Sequence, residues 1–295
     1  MSHPGIDIIR EMLADSGLGE STIADQREAM AAVATMPPPD GVTATPETLG
    51  GRPAEWLLPD GVTTRDRVVL YLHGGGYCIG SIATHRNLGG LLARAAGLAV
   101  VTLDYRLAPE DPFPAAVDDA VAAYRELLER GTDPDRIALA GDSAGGGLVV
   151  ATLVALRDAA VPLPEAGVCL SPWVDLSQTA GSYSSVVDDP MVSKEGLDRM
   201  ADAYLAGTDP AEPLASPIHA DLTGLPPLRI EVGELEILLD DSIGLHDRAR
   251  AVGVEAELIR WPDLVHVFQA FPAELVPEAA QSIDGIARFL DDHLA

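Results

Sequence analysis

Lysine occurs once in this 295-residue chain, at Lys194, and cysteine twice, at Cys78 and Cys169. Two cysteines are too few for a disulfide framework and suit a reducing cytoplasm. Basic residues number 19 against 46 acidic ones, a formal net charge of -27, and nearly all the positive charge is arginine. That balance argues against nucleic acid as a partner, because such binding rests on cationic neutralisation of phosphates. It disfavours anionic membrane surfaces too, and reads as a well-solvated surface, with a high-salt setting as the alternative. The first residues, Met1 to Met12, include Asp7, Arg10 and Glu11 and lack the basic start and apolar core of a signal peptide. No run approaches the roughly 18 apolar residues of a membrane span. What the chain does have is 47% hydrophobic residues, ample for a core, in a length that suits one large α/β domain or two small ones.

Short apolar runs alternate with helical patterns. Strands are expected at Ala54–Leu58, Val68–Leu72, Leu98–Leu103, Ile137–Ala140, Val168–Leu170, Leu228–Val232 and Ala256–Ile259. Helices are expected at Arg86–Ala96, Phe113–Arg130, Ala144–Ala159, Asp241–Val252 and in a final stretch where Ile283, Ile286, Leu290 and Leu294 form a stripe. Runs buried on both faces and separated by helices imply a largely parallel sheet, hence an α/β architecture. Two further segments break the rhythm. Residues 1–50 carry the patterns Ile6/Ile9/Leu13 and Ile23/Met30/Val33 and then a stiff Met36-Pro37-Pro38-Pro39 connection. Residues 177–216 carry a helix with Leu197, Met200, Ala201, Tyr204 and Leu205 on one side, bracketed by Asp188-Asp189-Pro190 and Asp209-Pro210. Both read as a lid over the strand ends, where α/β sites are built.

The chemistry concentrates in two glycine-rich turns. Gly141-Asp142-Ser143-Ala144-Gly145 lies between a strand and an apolar helix, the pattern of a nucleophile elbow that exposes a strained serine, so Ser143 is the candidate nucleophile. His73-Gly74-Gly75-Gly76 directly follows Val68–Leu72, and side-chain-free residues there can aim backbone N–H groups at a developing oxyanion. A phosphate-binding reading fails, because no Gly-x-Gly-x-x-Gly opens a helix and Lys194 follows a serine. Serine needs a base, and histidine has the suitable unperturbed pKa. With the order serine, acid, histidine, only His246, His266 and His293 lie late enough. His246 falls in a helix and His293 at the terminus, which leaves His266 on the loop after the last strand. The acid is expected after Leu228–Val232, where Glu234, Glu236, Asp240 and Asp241 crowd together and periodicity does not choose; Asp263 is too local to orient His266. Cys169 reads as strand packing and Cys78 as a small buried hydrophobe beside the glycine turn.

From about His73 to Phe268 these motifs resemble the bacterial branch of the hormone-sensitive lipase family, the GDXG lipolytic enzymes. The resemblance rests on His73-Gly74-Gly75-Gly76, Asp104-Tyr105-Arg106-Leu107-Ala108-Pro109-Glu110, Phe113-Pro114-Ala115-Ala116, Gly141-Asp142-Ser143-Ala144-Gly145-Gly146, Ser171-Pro172-Trp173 and the His266 loop. It implies an α/β-hydrolase fold: a mostly parallel eight-stranded sheet flanked by helices, with a helical cap from residues 1–50 and 177–216 on a catalytic domain of 51–176 and 217–295. The family's Asp-x-Leu-x-Asp pattern matches Glu236-Ile237-Leu238-Leu239-Asp240 with glutamate in first place, which favours Glu236 as the acid, Asp240 as a structural partner and Glu234 as the rival. By the same carry-over Gly75, Gly76 and Ala144 donate to the oxyanion, while His73, Asp142 and Asp240 orient the motifs. The implied activity is hydrolysis of short to medium acyl esters through an acyl-enzyme, with neither cofactor nor metal; lactone or amide hydrolysis by the same triad is the alternative. A non-catalytic small-molecule receptor is disfavoured because Ser143, Glu236 and His266 are present together. The expected partner is a small-molecule ester, and a homodimer is left open, since related esterases pair while no stretch here marks an interface.

Overall fold

A computed structural model describes residues 3–14, 21–33, 37–186 and 188–295 of the chain; Met1, Met36 and the side chain of Val33, used above, lie outside the described residues. Two helices, α1 (Pro4–Ala14) and α2 (Ile23–Val33), precede the sheet. Strands β1 (Val42–Leu49) and β2 (Arg52–Pro59) then form an antiparallel hairpin across Gly50 and Gly51, both at positive φ, as a two-residue primed turn demands. The sheet thus begins at Val42, inside the segment expected above to belong to the cap. The sequence conceals β1 because Val42 and Leu49 are its only buried residues and Pro46 breaks its ladder, which an edge strand tolerates.

The remaining strands are β3 (Val68–Leu72), β4 (Ala99–Leu103), β5 (Ile137–Asp142), β6 (Ala166–Leu170), β7 (Leu228–Gly233) and β8 (Ala256–Trp261). All eight lie in one sheet in the order β1-β2-β4-β3-β5-β6-β7-β8, parallel from β4 onward and antiparallel at the β1 and β2 edge. Alternate strand residues feed opposite layers. Val69 and Tyr71 pack with Leu88 and Leu92 of α3 (Ile82–Ala96) and with a C-terminal helix that supplies Ile286 and Leu290. Val68, Leu70 and Leu72 face the other way, toward Tyr124 of α4 (Ala115–Glu129) and Leu148 and Leu153 of α5 (Ala144–Asp158). α3 starts four residues earlier than its apolar pattern shows, because the Ser81 hydroxyl accepts from Thr84 N and the Thr84 hydroxyl reciprocates at the Ser81 amide.

Two features of this topology position a site. The chain leaves β3 toward β4 and returns to β5 on the other side of β3, so strand order reverses between β3 and β5, with Leu72 registered against Gly141. Ligands of open α/β sheets sit at that crevice. Between β6 and β7 the chain makes an excursion containing α6 (Ser182–Ser185) and α7 (Lys194–Leu205), the latter burying Leu197, Ala201, Tyr204 and Leu205. The fold closes with α8 (Leu239–Ala251) and α9 (Pro277–His293). Ile6 and Ile9 of α1 bury against Leu264, Val265 and Phe268, so the N-terminal segment rests on the loop that carries His266.

The reversal requires close packing where β3 and β5 end. A Cβ on Gly145 would lie 2.0 Å from the Leu72 carbonyl oxygen and 2.6 Å from that of His73. Gly145→Ala is therefore expected to cost about 3 kcal/mol, the upper end of overpacking penalties, because the obstruction is backbone. Urea denaturation of variant and parent measures it; a loss under about 0.5 kcal/mol would contradict the close approach.

Candidate active site

Ser143 occupies the turn from β5 to α5 with φ 54 and ψ -124, a conformation that costs a residue bearing a Cβ of order 1–3 kcal/mol. Its backbone is held on three sides: its N–H donates to Leu170 O at 2.8 Å, and its carbonyl accepts from Gly147 N at 3.1 Å and Trp173 N at 2.9 Å. The His73–Gly76 turn lies against this elbow. Asp142 Oδ1 accepts from Gly74 N at 3.1 Å and from the Tyr71 hydroxyl at 2.7 Å, while Asp142 Oδ2 pairs with His85 Nε2 at 3.3 Å. Gly75 and Gly76 have φ 116 and 59, which glycine adopts at little cost. Among the described residues their amides donate to no protein acceptor, and Ala144, first in α5, has none within its helix.

His73 and His85 read as opposites. Burial drives the His73 imidazole down to about 3, assisted by the neighbouring His85, so it stays neutral. Its ring stacks on Tyr105 at 4.3 Å, and the Tyr105 hydroxyl donates to the His73 carbonyl at 2.7 Å. For His85 burial acts downward, but Asp142 outweighs it and raises the ring above its ordinary value. Burial likewise opposes the Asp142 carboxylate, and His85 overcomes it, so that group is lowered.

The loops after β7 and β8 emerge together, because Gly233 is registered against Trp261. There His266 Nδ1 meets Glu236 Oε2 at 2.7 Å, with Glu236 fully buried and His266 nearly so. Glu236 Oε1 accepts from Ser171 Oγ at 2.8 Å and Gly233 N at 2.6 Å, and Ser171 Oγ also accepts from Val267 N at 3.2 Å. Burial pushes His266 down, yet the hydrogen bond and charge of Glu236 reverse this and raise it above its ordinary value. The other acids lie elsewhere. Glu234 pairs with Arg260 at 2.8 Å on a half-exposed face. Asp240 accepts from Ser182 N at 2.8 Å, and buried Asp241 from Val174 N and Asp175 N at 2.9 and 3.0 Å. Asp263 is exposed, with φ 60. His246 pairs with the adjacent Asp247, and His293 Nδ1 lies 2.8 Å from Phe289 O. Cys78 is buried, which pushes its thiol up to about 12.

Residues 69–270 match the family described as the alpha/beta hydrolase fold. An acetyl-hydrolase of Streptomyces hygroscopicus is 45% identical over 98% of this chain and 97% of its own length. A crystal structure titled an esterase from the bacterial hormone-sensitive lipase family superposes with a TM-score of 0.95, at 49% identity and complete coverage of both chains. This chain belongs to that family. A carboxylesterase of Mycobacterium tuberculosis, 33% identical over 96% of this chain and 94% of its own, is a further relative.

Three contacts of this family member leave no local mark in the sequence. His85 sits in an ordinary helical stretch, with nothing local to mark its carboxylate partner 57 positions on. Ser171 stood in the quoted Ser-Pro-Trp motif without a function, and its contact with Glu236 depends on how β6 and β7 pair. Arg27 of α2 donates to Cys78 O and Ala108 O, both at 2.7 Å, and forks onto Glu110. Among the described residues no group of three or more His, Cys, Asp or Glu side chains is arranged to hold a metal, and no helix is long and apolar enough to cross a membrane.

The His85 and Asp142 pair carries a pH signature. Depressed from 3.8, Asp142 contributes stability above that value and loses it as pH falls through its lowered folded pKa. Raised from 6.5, His85 contributes fully below that value and loses its share as pH rises through its folded pKa. The unfolding free energy of the parent should exceed that of His85→Gln most near pH 5 to 6, and by less at pH 9. Denaturant titrations across that range measure the gap; a gap that widens toward pH 9 would contradict the charged pair.

Proposed function

We propose that this chain is a serine carboxylic ester hydrolase with Ser143 as nucleophile, His266 as general base and Glu236 as the acid that orients the base. The observation that carries the reading is the buried 2.7 Å contact between His266 Nδ1 and Glu236, on a loop tied through Ser171 to the end of β6, where Leu170 also anchors the strained Ser143 elbow. A carboxylate at Nδ1 holds the proton there, which leaves Nε2 to take the serine proton. Ser143 Oγ attacks the ester carbonyl, and the oxyanion is received by the amides of Gly75, Gly76 and Ala144, donors fixed before the reaction begins. His266 passes the proton to the departing alcohol, then activates water to release the acid from the acyl-enzyme. His73 is kept neutral by burial and shapes the glycine turn without acting as a base. Asp142 anchors that turn through Gly74.

We read α1, α2 and the 177–216 insertion as a cap over this site. Arg27 supports that reading from one side, since it grips the carbonyl of Cys78, just past the glycine turn, and that of Ala108 in the segment after β4. Met200 of α7 supports it from the other: a Cβ on Gly76 would lie 2.1 Å from the Met200 sulfur. That contact leaves little room above the oxyanion donors and favours short acyl groups, in keeping with the name of the Streptomyces relative. Two buried, unpaired cysteines suit a cytoplasmic setting.

Initial rates on 4-nitrophenyl esters from acetate to laurate test the proposal. The parent should peak at short chains. Ser143→Ala should lose turnover by about 10⁵-fold or more while remaining folded, and Glu236→Gln by about 10³-fold. Near-parental activity in Ser143→Ala would overturn the nucleophile. Because only neutral His266 accepts the proton and its pKa is raised, kcat/KM should fall on the acid side with a midpoint above 6.5, and lower in Glu236→Gln. A rate flat down to pH 4 would rule out a histidine base.

A further inference from the structure

Beside the His266 and Glu236 pair, two segments distant in sequence hold each other by four hydrogen bonds. Asp189 Oδ2 accepts from Ile237 N at 2.9 Å, and the Ser182 hydroxyl donates to Ile237 O at 2.7 Å. Asp240 Oδ2 accepts from Ser182 N at 2.8 Å, and Asp240 N donates to Ser182 Oγ at 3.3 Å. Both backbone groups of Ile237, the residue after Glu236, are therefore bound to the insertion. The second Asp189 oxygen braces its own turn, accepting from Met191 N at 2.8 Å and Val192 N at 3.2 Å.

Among the described residues no lysine or arginine pairs with Asp189, whose oxygens are held by backbone amides alone. The groups that act on His266 are Glu236 from the loop after β7, Asp189 from the insertion and Asp142 from the end of β5. Burial raises the Asp189 carboxyl above its ordinary value and Glu236 adds to the rise, while His266 and the Ile237 and Met191 amides favour its charged form. We infer that Asp189 is a positioning residue for the hydrolysis: its carboxylate fixes the Glu236 loop through the Ile237 amide and adds a second negative charge near the imidazole. The inference rests on the Ser143, His266 and Glu236 reading. When His266 takes the serine proton it becomes an imidazolium, and a fixed anion favours that form. Detaching the insertion would remove the brace and the charge together, so cap docking and base strength are linked.

The test compares Asp189→Asn, Asp189→Glu and Asp188→Asn with the parent on 4-nitrophenyl acetate from pH 5 to 9. Asp188 is exposed and serves as the neighbouring control. Asp189→Asn should lower kcat about 10-fold with KM within about 2-fold, and move the acid limb down by about half a pH unit. Asp189→Glu should return the limb most of the way, and Asp188→Asn should match the parent. A folded Asp189→Asn whose limb does not move, whatever happens to its melting temperature, shows a structural tie alone and overturns the inference. Should Asp189→Asn fail to fold, Asp189→Glu decides: reduced kcat with the parental limb supports the inference, and parental kcat overturns it. Ser143→Ala run alongside separates the two failures. Turnover surviving that substitution sinks the triad reading; serine-dependent turnover with an unmoved Asp189→Asn limb sinks only the role of Asp189.

Discussion

Everything at the site depends on how closely two backbone turns approach where β3 and β5 end. The carbonyls of Leu72 and His73 lie where a side chain on Gly145 would be. That proximity lets one buried carboxylate, Asp142, reach both the glycine turn and the helix that carries His85. The cost is borne at Ser143, whose positive φ is sustained by a hydrogen bond donated to β6 and one accepted from Trp173. The strain is local, and the apolar layers around α5 and α9 that hold the sheet rigid oppose its release.

The distribution of charge shows the same economy. The chain carries a net charge of -27, and yet Glu231 and Glu236, both completely buried, each have a defined set of donors. Glu236 has His266, Ser171 and Gly233. Glu231, two residues before the end of β7, has Arg229 at 2.7 Å, the Trp261 indole at 2.8 Å and the Ser282 hydroxyl at 2.5 Å. Its carbonyl also accepts from Ser171 N at 2.7 Å, so this second network underlies the serine that braces Glu236. Buried charges without partners would be too costly to keep, which is why these two carboxylates sit where a strand end or loop delivers N–H and O–H groups.

The insertion between β6 and β7 takes part in that network. Tyr204 of α7 stacks on Tyr77 with ring centroids 3.9 Å apart, and its carbonyl accepts from Phe113 N at 2.8 Å. On its other side Ser182 and Asp189 engage the acid loop. The excursion thus touches the segment after the glycine turn and the segment carrying Glu236.

Residue order alone reveals the alternation of strands and helices, the elbow at Ser143, the glycine turn and the candidacy of His266. Those features follow from neighbouring residues: apolar runs that need two covered faces, and glycines where backbones must nearly touch. It hid β1, whose exposed and proline-bearing pattern is that of an edge, and the first turn of α3, which a serine cap sets. It also left four acids open after β7. The family resemblance singles out Glu236, and its meeting with His266, 30 residues away, is set by folding alone. That meeting needs β7 and β8 in register, Gly233 donating to Glu236 and Ser171 arriving from β6. The links of His85 to Asp142 and of Asp189 to Ile237 were invisible for the same reason. A carboxylate's partner is fixed by where the chain returns in space, and local sequence does not encode that distance.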